Sequence, residues 1–461
     1  MEEILSKVKN IHLVGAGGIG MSGLALLLKE KGLCVSGSDL YESANTKMLQ
    51  EEGVKIIMGQ HAKNLTPDIE LVAYSSAIES DNPEIVEARN RRIPVLKRGE
   101  LLGMLCEDKK SIAVAGSHGK TTTTSLMGYL LTSLGFEPTV FVGGLPLNYS
   151  RNAWWGKDHF VIETDESDGS FLYCNPWVSI ITNIDYEHLD YHKTIENLNE
   201  SFLKFASQTQ EHVFGWGDQP QVRQILSAVG GISFGWGKDN QLRAENMSFE
   251  AGCSCFSLVV EDKFDMPVRV PLLGEHNVLN ALAVLGCLFY LGVDMEKAAA
   301  ALKEFKGTKR RFQFKEKVEG VTFIDDYAHH PTEIQAVLKA ARYLNPKRVL
   351  AVFQPHRFSR VKSLHNEFSR CFGGADKIVV TDIYAASEAI MDGVSAQFLT
   401  EAIKKEYGDK VCYIPKDRLK EEIVPLLKEG DIVLGLGAGD ITAVMEEVIR
   451  EFKKDRAKTE C

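Results

Sequence analysis

From Ser111 to Gly135 the chain reads SIAVAGSHGKTTTTSLMGYLLTSLG, an apolar strand followed by a glycine-bearing loop and a helix. A loop in that position turns backbone N–H groups towards a ligand at a helix N-terminus, where phosphate is favoured. Gly116 and Gly119 free the amides, Lys120 adds a point charge, and the Thr121 hydroxyl suits Mg2+; Ser117, His118 and Thr122 complete the cradle. Val114 stands where the general Walker pattern has its first glycine. A strand that feeds such a loop belongs to a largely parallel sheet, so the fold class is α/β. With 461 residues and roughly 100 to 200 residues per domain, about three domains are expected. Apolar residues at 44% supply their cores, and charged residues at 25% exclude a disordered or coiled-coil chain.

Ahead of this stretch, IHLVG, CVSGSD, KIIMG and ELVAYSS alternate with helical runs, which predicts a Rossmann-like unit over 1–107. Its first turn is Gly15-Ala16-Gly17-Gly18-Ile19-Gly20, with Asp39 at the end of the next strand. That placement fits a diphosphate at the helix start and leaves NAD open as its owner. A central unit over 108–307 follows, closed by a nearly all-apolar helix from His276 to Gly292 and by MEKAAAALKEF. A third unit over 308–461 repeats the strand–helix alternation and ends in a tail after Phe452 expected to fray.

Acids and histidines gather where strands end. Glu163, Asp165, Glu166 and Asp168 follow HFVI, and Asn183, Asp185, His188 and Asp190 follow VSIIT. Ligands of open parallel sheets collect at that edge, so Glu163 and His188 are expected near Lys120 and its metal. In the third unit Asp325, Asp326, Tyr327, His329 and His330 follow one strand, and His356, Arg357 and Arg360 the next. Two arginines so spaced can grip a carboxylate or phosphate.

The balance of 53 Lys+Arg against 63 Asp+Glu leaves a net charge of −10, which disfavours nucleic acid and anionic membranes as partners. The first ten residues lack the pattern of a signal peptide, and the apolar run from Val278 to Val293 is broken by Asn280 and glycines. Nine cysteines fall in no framework, and Cys253 and Cys255 read as alternate residues of a strand. The expectation is a cytoplasmic protein, monomer or homodimer.

Taken together, GAGGIGMSG (15–23), SSAI (75–78), GSHGKTTT (116–123), ETDESDGSF (163–171), NIDYEHLD (183–190), GEHNVLN (274–280), RRF (310–312), DDYAHHPTE (325–333), QPHRFSR (354–360) and GAGDI (437–441) resemble the Mur ligases of bacterial cell-wall synthesis across nearly the whole chain. The resemblance implies a Rossmann-like N-terminal domain, a central P-loop ATPase domain with a mostly parallel sheet and a Rossmann-like C-terminal domain. These would bind a UDP-sugar, ATP and an amino acid in turn. It implies transfer of the ATP γ-phosphoryl group to the carboxylate of UDP-N-acetylmuramate and attack by L-alanine, with addition of a ready-made tripeptide as the alternative. It gives Gly15, Gly17, Gly18, Ile19 and Gly20 to the sugar diphosphate rather than NAD, with Ser75, Ser76 and His61 beside it. Asn277 would meet adenine, Arg310 the phosphates and Asp325 the ribose, although an asparagine there is equally an N-cap. Thr121 and Glu163 would hold one Mg2+ and His188 a second. Lys120, His188, His356 and Arg357 would carry the chemistry, with His356, Arg357 and Arg360 near the amino acid. Ser117 and Ser387 depart from the family's usual threonine and arginine.

Overall fold

The computed structural model describes residue 5 and residues 7–107, 109–185, 189–386 and 388–459. Three sheets organise the chain, the first built by alternating strands and helices and the other two combining that alternation with strands that follow one another directly. The first takes β1 (Asn10–Val14), β2 (Cys34–Asp39), β3 (Lys55–Met58), β4 (Leu71–Tyr74) and β5 (Val95–Lys97) in the order β3-β2-β1-β4-β5, every neighbour parallel. Strand β1 is central and buried, and the helix Ile19–Glu30 that follows it is apolar from Leu24 to Leu28, so it packs onto the sheet.

The second sheet comprises β6 (Lys110–Ala115), β7 (Thr139–Phe141), β8 (Ala153–Trp154), β9 (His159–Glu163), β10 (Val178–Ile181), β11 (His212–Trp216), β12 (Ile232–Gly235), β13 (Leu242–Glu250), β14 (Cys253–Val260) and β15 (Phe264–Val270). Its order is β15-β14-β13-β12-β11-β10-β6-β9-β7-β8. The sheet is parallel from β13 through β7, and β8 runs antiparallel at one edge. Its middle strands β9, β6 and β10 are continuous apolar runs, as a sheet covered on both faces requires. The third sheet has β16 (Gln313–Val318), β17 (Val321–Asp326), β18 (Arg348–Phe353), β19 (Lys377–Val380), β20 (Val411–Tyr413) and β21 (Asp431–Leu436) in the order β16-β17-β21-β18-β19-β20. All pairs are parallel except β16–β17.

By internal contacts the chain forms two compact units, Met1–Asn246 with Phe256–Val268 and Leu279–Lys306, and Met247–Cys255 with Arg269–Val278 and Gly307–Cys461. The apolar run near Val278 is the helix Glu275–Tyr290, and Cys253 and Cys255 are alternate residues of β14. Among the described residues no helix is long and apolar enough to cross a membrane. The tail corrects its expectation. The last helix runs from Ile441 to Thr459, because Phe452 is buried, Arg456 covers its ring at 5.0 Å, and Lys453 and Lys454 pair with Glu316 and Glu451.

Candidate functional site

Strand β6 ends at Ala115 and the next helix starts at Lys120, so the chain must reverse within four residues. Gly116 (φ +133°) and Gly119 (φ +84°) make that turn in backbone conformations that side chains resist. The end of β10 fastens the loop: Asn183 O and Oδ1 accept from the N–H groups of Ser117 and His118 at 3.0 and 2.9 Å, and Asn183 Nδ2 donates to His118 O at 2.9 Å. His118 Nε2 lies 3.1 Å from Asp185 Oδ2. The loop therefore holds its shape while the first-turn amides of the helix, with no carbonyl a turn earlier, face outward as anion donors. Asn280, which the sequence marks only as a break in an apolar run, closes one side. It accepts from the Thr123 hydroxyl at 3.2 Å, and a methyl group on Gly119 would come within 2.5 Å of the same oxygen.

The parallel pairing of β9 with β6 brings the acids of ETDESD onto this loop. Glu163 accepts from the Thr121 hydroxyl at 2.8 Å and from Gly143 N at 2.6 Å. A hydroxyl beside a carboxylate is a hard oxygen pair, so these residues fit Mg2+. Lys120 Nζ is 2.8 Å from both carboxylate oxygens of Glu166 and 2.5 Å from Gly116 O. Burial works to lower Lys120, but Glu166 and Asp165 outweigh it and hold the ammonium above the usual lysine range. Burial lifts Glu166 to about 7 against the pull of Lys120. Glu166 is buried and reads in sequence as one acid among four; only strand pairing shows that it meets Lys120. Thr122 is buried in the helix's first turn. His188 lies outside the described residues, as does Ser387.

At the carboxyl edge of the first sheet, Gly15 takes φ +80° and its N–H, with that of Ala16, donates to Ser38 O at 2.9 Å. Asp39, the acid that a dinucleotide reading assigns to a ribose, accepts from Gly17 N at 2.7 Å. Ser75 packs against Gly15, while Gly18, Ile19, Ser76 and His61 are exposed along the same edge. Arg98, missed in sequence, lies against Gly20 and reaches Asp165 at 3.4 Å and Asp168 at 3.8 Å. Nothing local marks it, since it opens a helix far along the chain from both partners.

In the second unit, His356 stacks on Tyr384 with ring centroids 5.6 Å apart and planes 9° apart, and His329 meets its ring at 5.7 Å. Arg360 Nη1 lies 3.4 Å from His356 Nδ1. Burial, with His329, Arg360 and Arg357 nearby, drives His356 down to about 3. Arg357 is exposed and caps the helix Phe358–Ser363 at φ +68°. Asp325 is buried, takes the Thr442 hydroxyl at 3.1 and 3.0 Å, and lies 3.8 Å from Arg310 Nε. Its carboxylate thus faces Thr442 and Arg310. His330 is the N-cap of the helix Pro331–Arg342. Asn277 is the third residue of its helix, not its cap, and donates to Leu273 O at 3.0 Å.

Three family models match in chain order: the Mur ligase family catalytic domain over 10–110, the Mur ligase middle domain over 114–288, and the Mur ligase glutamate ligase domain over 310–439. The chain is 45% identical to the UDP-N-acetylmuramate–L-alanine ligase of Desulfotalea psychrophila, covering 95% of this chain and 97% of that one. It is 41% identical to the protein of the same name from Aquifex aeolicus, over 98% and 99%. Among solved structures it resembles the UDP-N-acetylmuramate–alanine ligase of Thermotoga maritima, with TM-score 0.83, 30% identity and coverage of 97% and 99%. It shares a fold with a murein peptide ligase of Psychrobacter arcticus, with TM-score 0.70, 23% identity and coverage of 96% and 98%.

Proposed function

The chain belongs to the Mur ligase family, and from that premise we propose that it joins L-alanine to the lactoyl carboxylate of UDP-N-acetylmuramate. The reaction uses ATP, passes through an acyl phosphate, and yields UDP-N-acetylmuramoyl-L-alanine, ADP and phosphate for peptidoglycan synthesis. The observation that carries it is end-to-end similarity, at 41 to 45% identity, to proteins named for that activity. Tripeptide addition has less behind it: the peptide-adding ligases among the solved structures are 23 and 26% identical to this chain. An NAD-dependent oxidoreductase has less, because Asp39 is engaged by Gly17 and the clusters of the third sheet go unused.

In this reading residues 1–107 take the sugar nucleotide, 108–307 ATP and 308–461 alanine. The loop of Gly15, Gly17, Gly18, Ile19 and Gly20 receives the diphosphate at the helix start, with Ser75, Ser76 and His61 along the same edge. Gly116 to Thr122 wrap the ATP phosphates, and Lys120 leaves Glu166 to meet them. Thr121 and Glu163 would hold one Mg2+ and His188 a second, and ions held there would supply charge neutralisation for the transferring phosphoryl group. Asn277 and Arg310 serve adenine and phosphates; Asp325 meets the ribose only by exchanging its bond to Thr442.

A carboxylate is a poor electrophile, and phosphorylation turns its oxygen into a leaving group. Positioning and charge neutralisation supply most of that step, which suits a site of amides and one lysine. Arg357 and Arg360 grip carboxylate, and His356, neutral and only weakly basic at working pH, offers the attacking amine a hydrogen-bond acceptor rather than a strong base. The substrates are small molecules, with no nucleic acid or membrane needed; the enzyme works as a monomer or homodimer.

Hydroxylamine captures acyl phosphates as hydroxamates, which gives a direct test. With alanine omitted, the hydroxamate of UDP-N-acetylmuramate should accumulate only when ATP and Mg2+ are both present. Its absence while the complete reaction still forms product would remove the acyl-phosphate route.

A further inference from the structure

Glu84 is fully buried near the start of the helix Pro83–Asn90, and nothing above gives it work. A buried carboxylate is costly unless donors surround it, so what surrounds this one is informative. Oε2 accepts from the Ser38 hydroxyl at 2.6 Å, with His12 Nε2 at 3.5 Å. Oε1 accepts from Asn64 Nδ2 at 2.5 Å and from the His61 backbone N–H at 3.2 Å. Burial works to raise the carboxyl, but His12, Ser38 and Asn64 outweigh it and hold it below the usual glutamate range, so it is ionised.

The donors come from segments that border the edge of the first sheet, not from a random piece of core. Ser38 is the residue whose carbonyl takes the Gly15 and Ala16 N–H groups at 2.9 Å, so one oxygen of Glu84 is tied to the glycine loop. Asn64 also donates to Gly59 O at 2.8 Å, and Asn82, which caps the Glu84 helix, donates to Gln60 Oε1 at 2.7 Å. The other oxygen is thereby tied to the turn from Gly59 to Asn64. That turn carries His61, exposed at its tip, and begins at Gly59 with φ +86°.

We propose that Glu84 is a positioning residue for the sugar-nucleotide site: its two oxygens lock the His61 turn to the glycine loop, so that both meet the ligand in one fixed frame. The inference rests on the placement of His61 at the UDP-sugar. Glu84 never touches substrate; it acts through the His61 main chain and through Ser38. Charge-assisted hydrogen bonds of this kind are worth enough that losing one from a preorganised site costs on the order of tenfold in affinity.

Calorimetric titration of UDP-N-acetylmuramate without ATP tests this with Glu84→Gln and Asn64→Ala, each alone and combined with His61→Ala. Each single change should weaken binding about tenfold, raise KM for the UDP-sugar in turnover, and leave KM for ATP unchanged. On the His61→Ala background the loss from Asn64→Ala should shrink below about threefold, since the turn then has nothing to position. If Glu84→Gln does not fold, Asn64→Ala carries the test, because it releases only the turn. A folded Glu84→Gln that melts earlier but binds as tightly as wild type would reduce Glu84 to a stabilising group and overturn the proposal. So would losses that multiply in full with His61→Ala. If His61→Ala itself binds like wild type, the placement of His61 falls and the inference with it; if His61→Ala is weak and Glu84→Gln is not, the inference alone falls.

Discussion

His356 lies face to face with Tyr384 and beside Arg360, surroundings that make a positive imidazole costly. With its value pushed down to about 3, the ring stays neutral across the working range and can accept a hydrogen bond without taking up a proton there. The folded value lies below the ordinary one near 6.5, so the stability that the neutral ring contributes is complete above that pH and is lost as pH falls towards 3. Selective NMR labelling of histidine should show ring nitrogens of His356 that do not titrate between pH 8 and pH 5; a midpoint near 6.5 would contradict the environment described. At this scale the sequence discloses residue types better than their partners. Glu163 is legible because a carboxylate ends an apolar strand, and Lys120 because a glycine-bearing loop leads into it. Glu166, Arg98 and Glu84 are not legible, since each is defined by a neighbour more than forty residues away that only strand pairing or helix packing supplies.

Elements place these groups by where they stop. Each parallel strand hands its last residues to the same edge, which is why Gly15, Asp39, His61 and Ser75 share one rim, and why Glu163 reaches Thr121 from the neighbouring strand. The turn from β6 into its helix is the tightest of these junctions. Gly119→Ala would place a methyl group at positive φ and against Asn280 Oδ1, and the loop would have to move. A displacement of about 1 Å in a catalytic frame costs roughly a hundredfold. The variant should therefore lose about that factor in kcat/KM for ATP, while calorimetric affinity for the UDP-sugar stays within about twofold. An unchanged kcat/KM would show that the loop shape is not what the phosphates need. Strong period-2 and apolar runs announce β1–β4, β6, β9, β10 and β17–β21 in the sequence. Short β5 and the polar edge strand β16 lack that signal, and the final helix outlasts its apolar stripe through charge pairs and a cation over Phe452.

Across the whole molecule, three sheets follow one another along the chain, and each carries its polar residues at strand ends. That repetition is readable from the alternation of strands and helices. The substrate is not. A glycine loop with Asp39 nineteen residues on fits a dinucleotide as well as a sugar nucleotide, and what separates them is the ordered set of motifs down the chain together with relatives matched end to end. In the proposed function all three sheets serve one reaction, with alanine as the acceptor. Phosphate release from ATP and Mg2+ tests it most directly when UDP-N-acetylmuramate is offered with no amino acid, L-alanine, glycine, L-serine or the tripeptide. Release should depend on the UDP-sugar and be fastest with L-alanine, the product gaining one alanyl residue by mass. Release that proceeds without the UDP-sugar, or that requires the tripeptide, would contradict it.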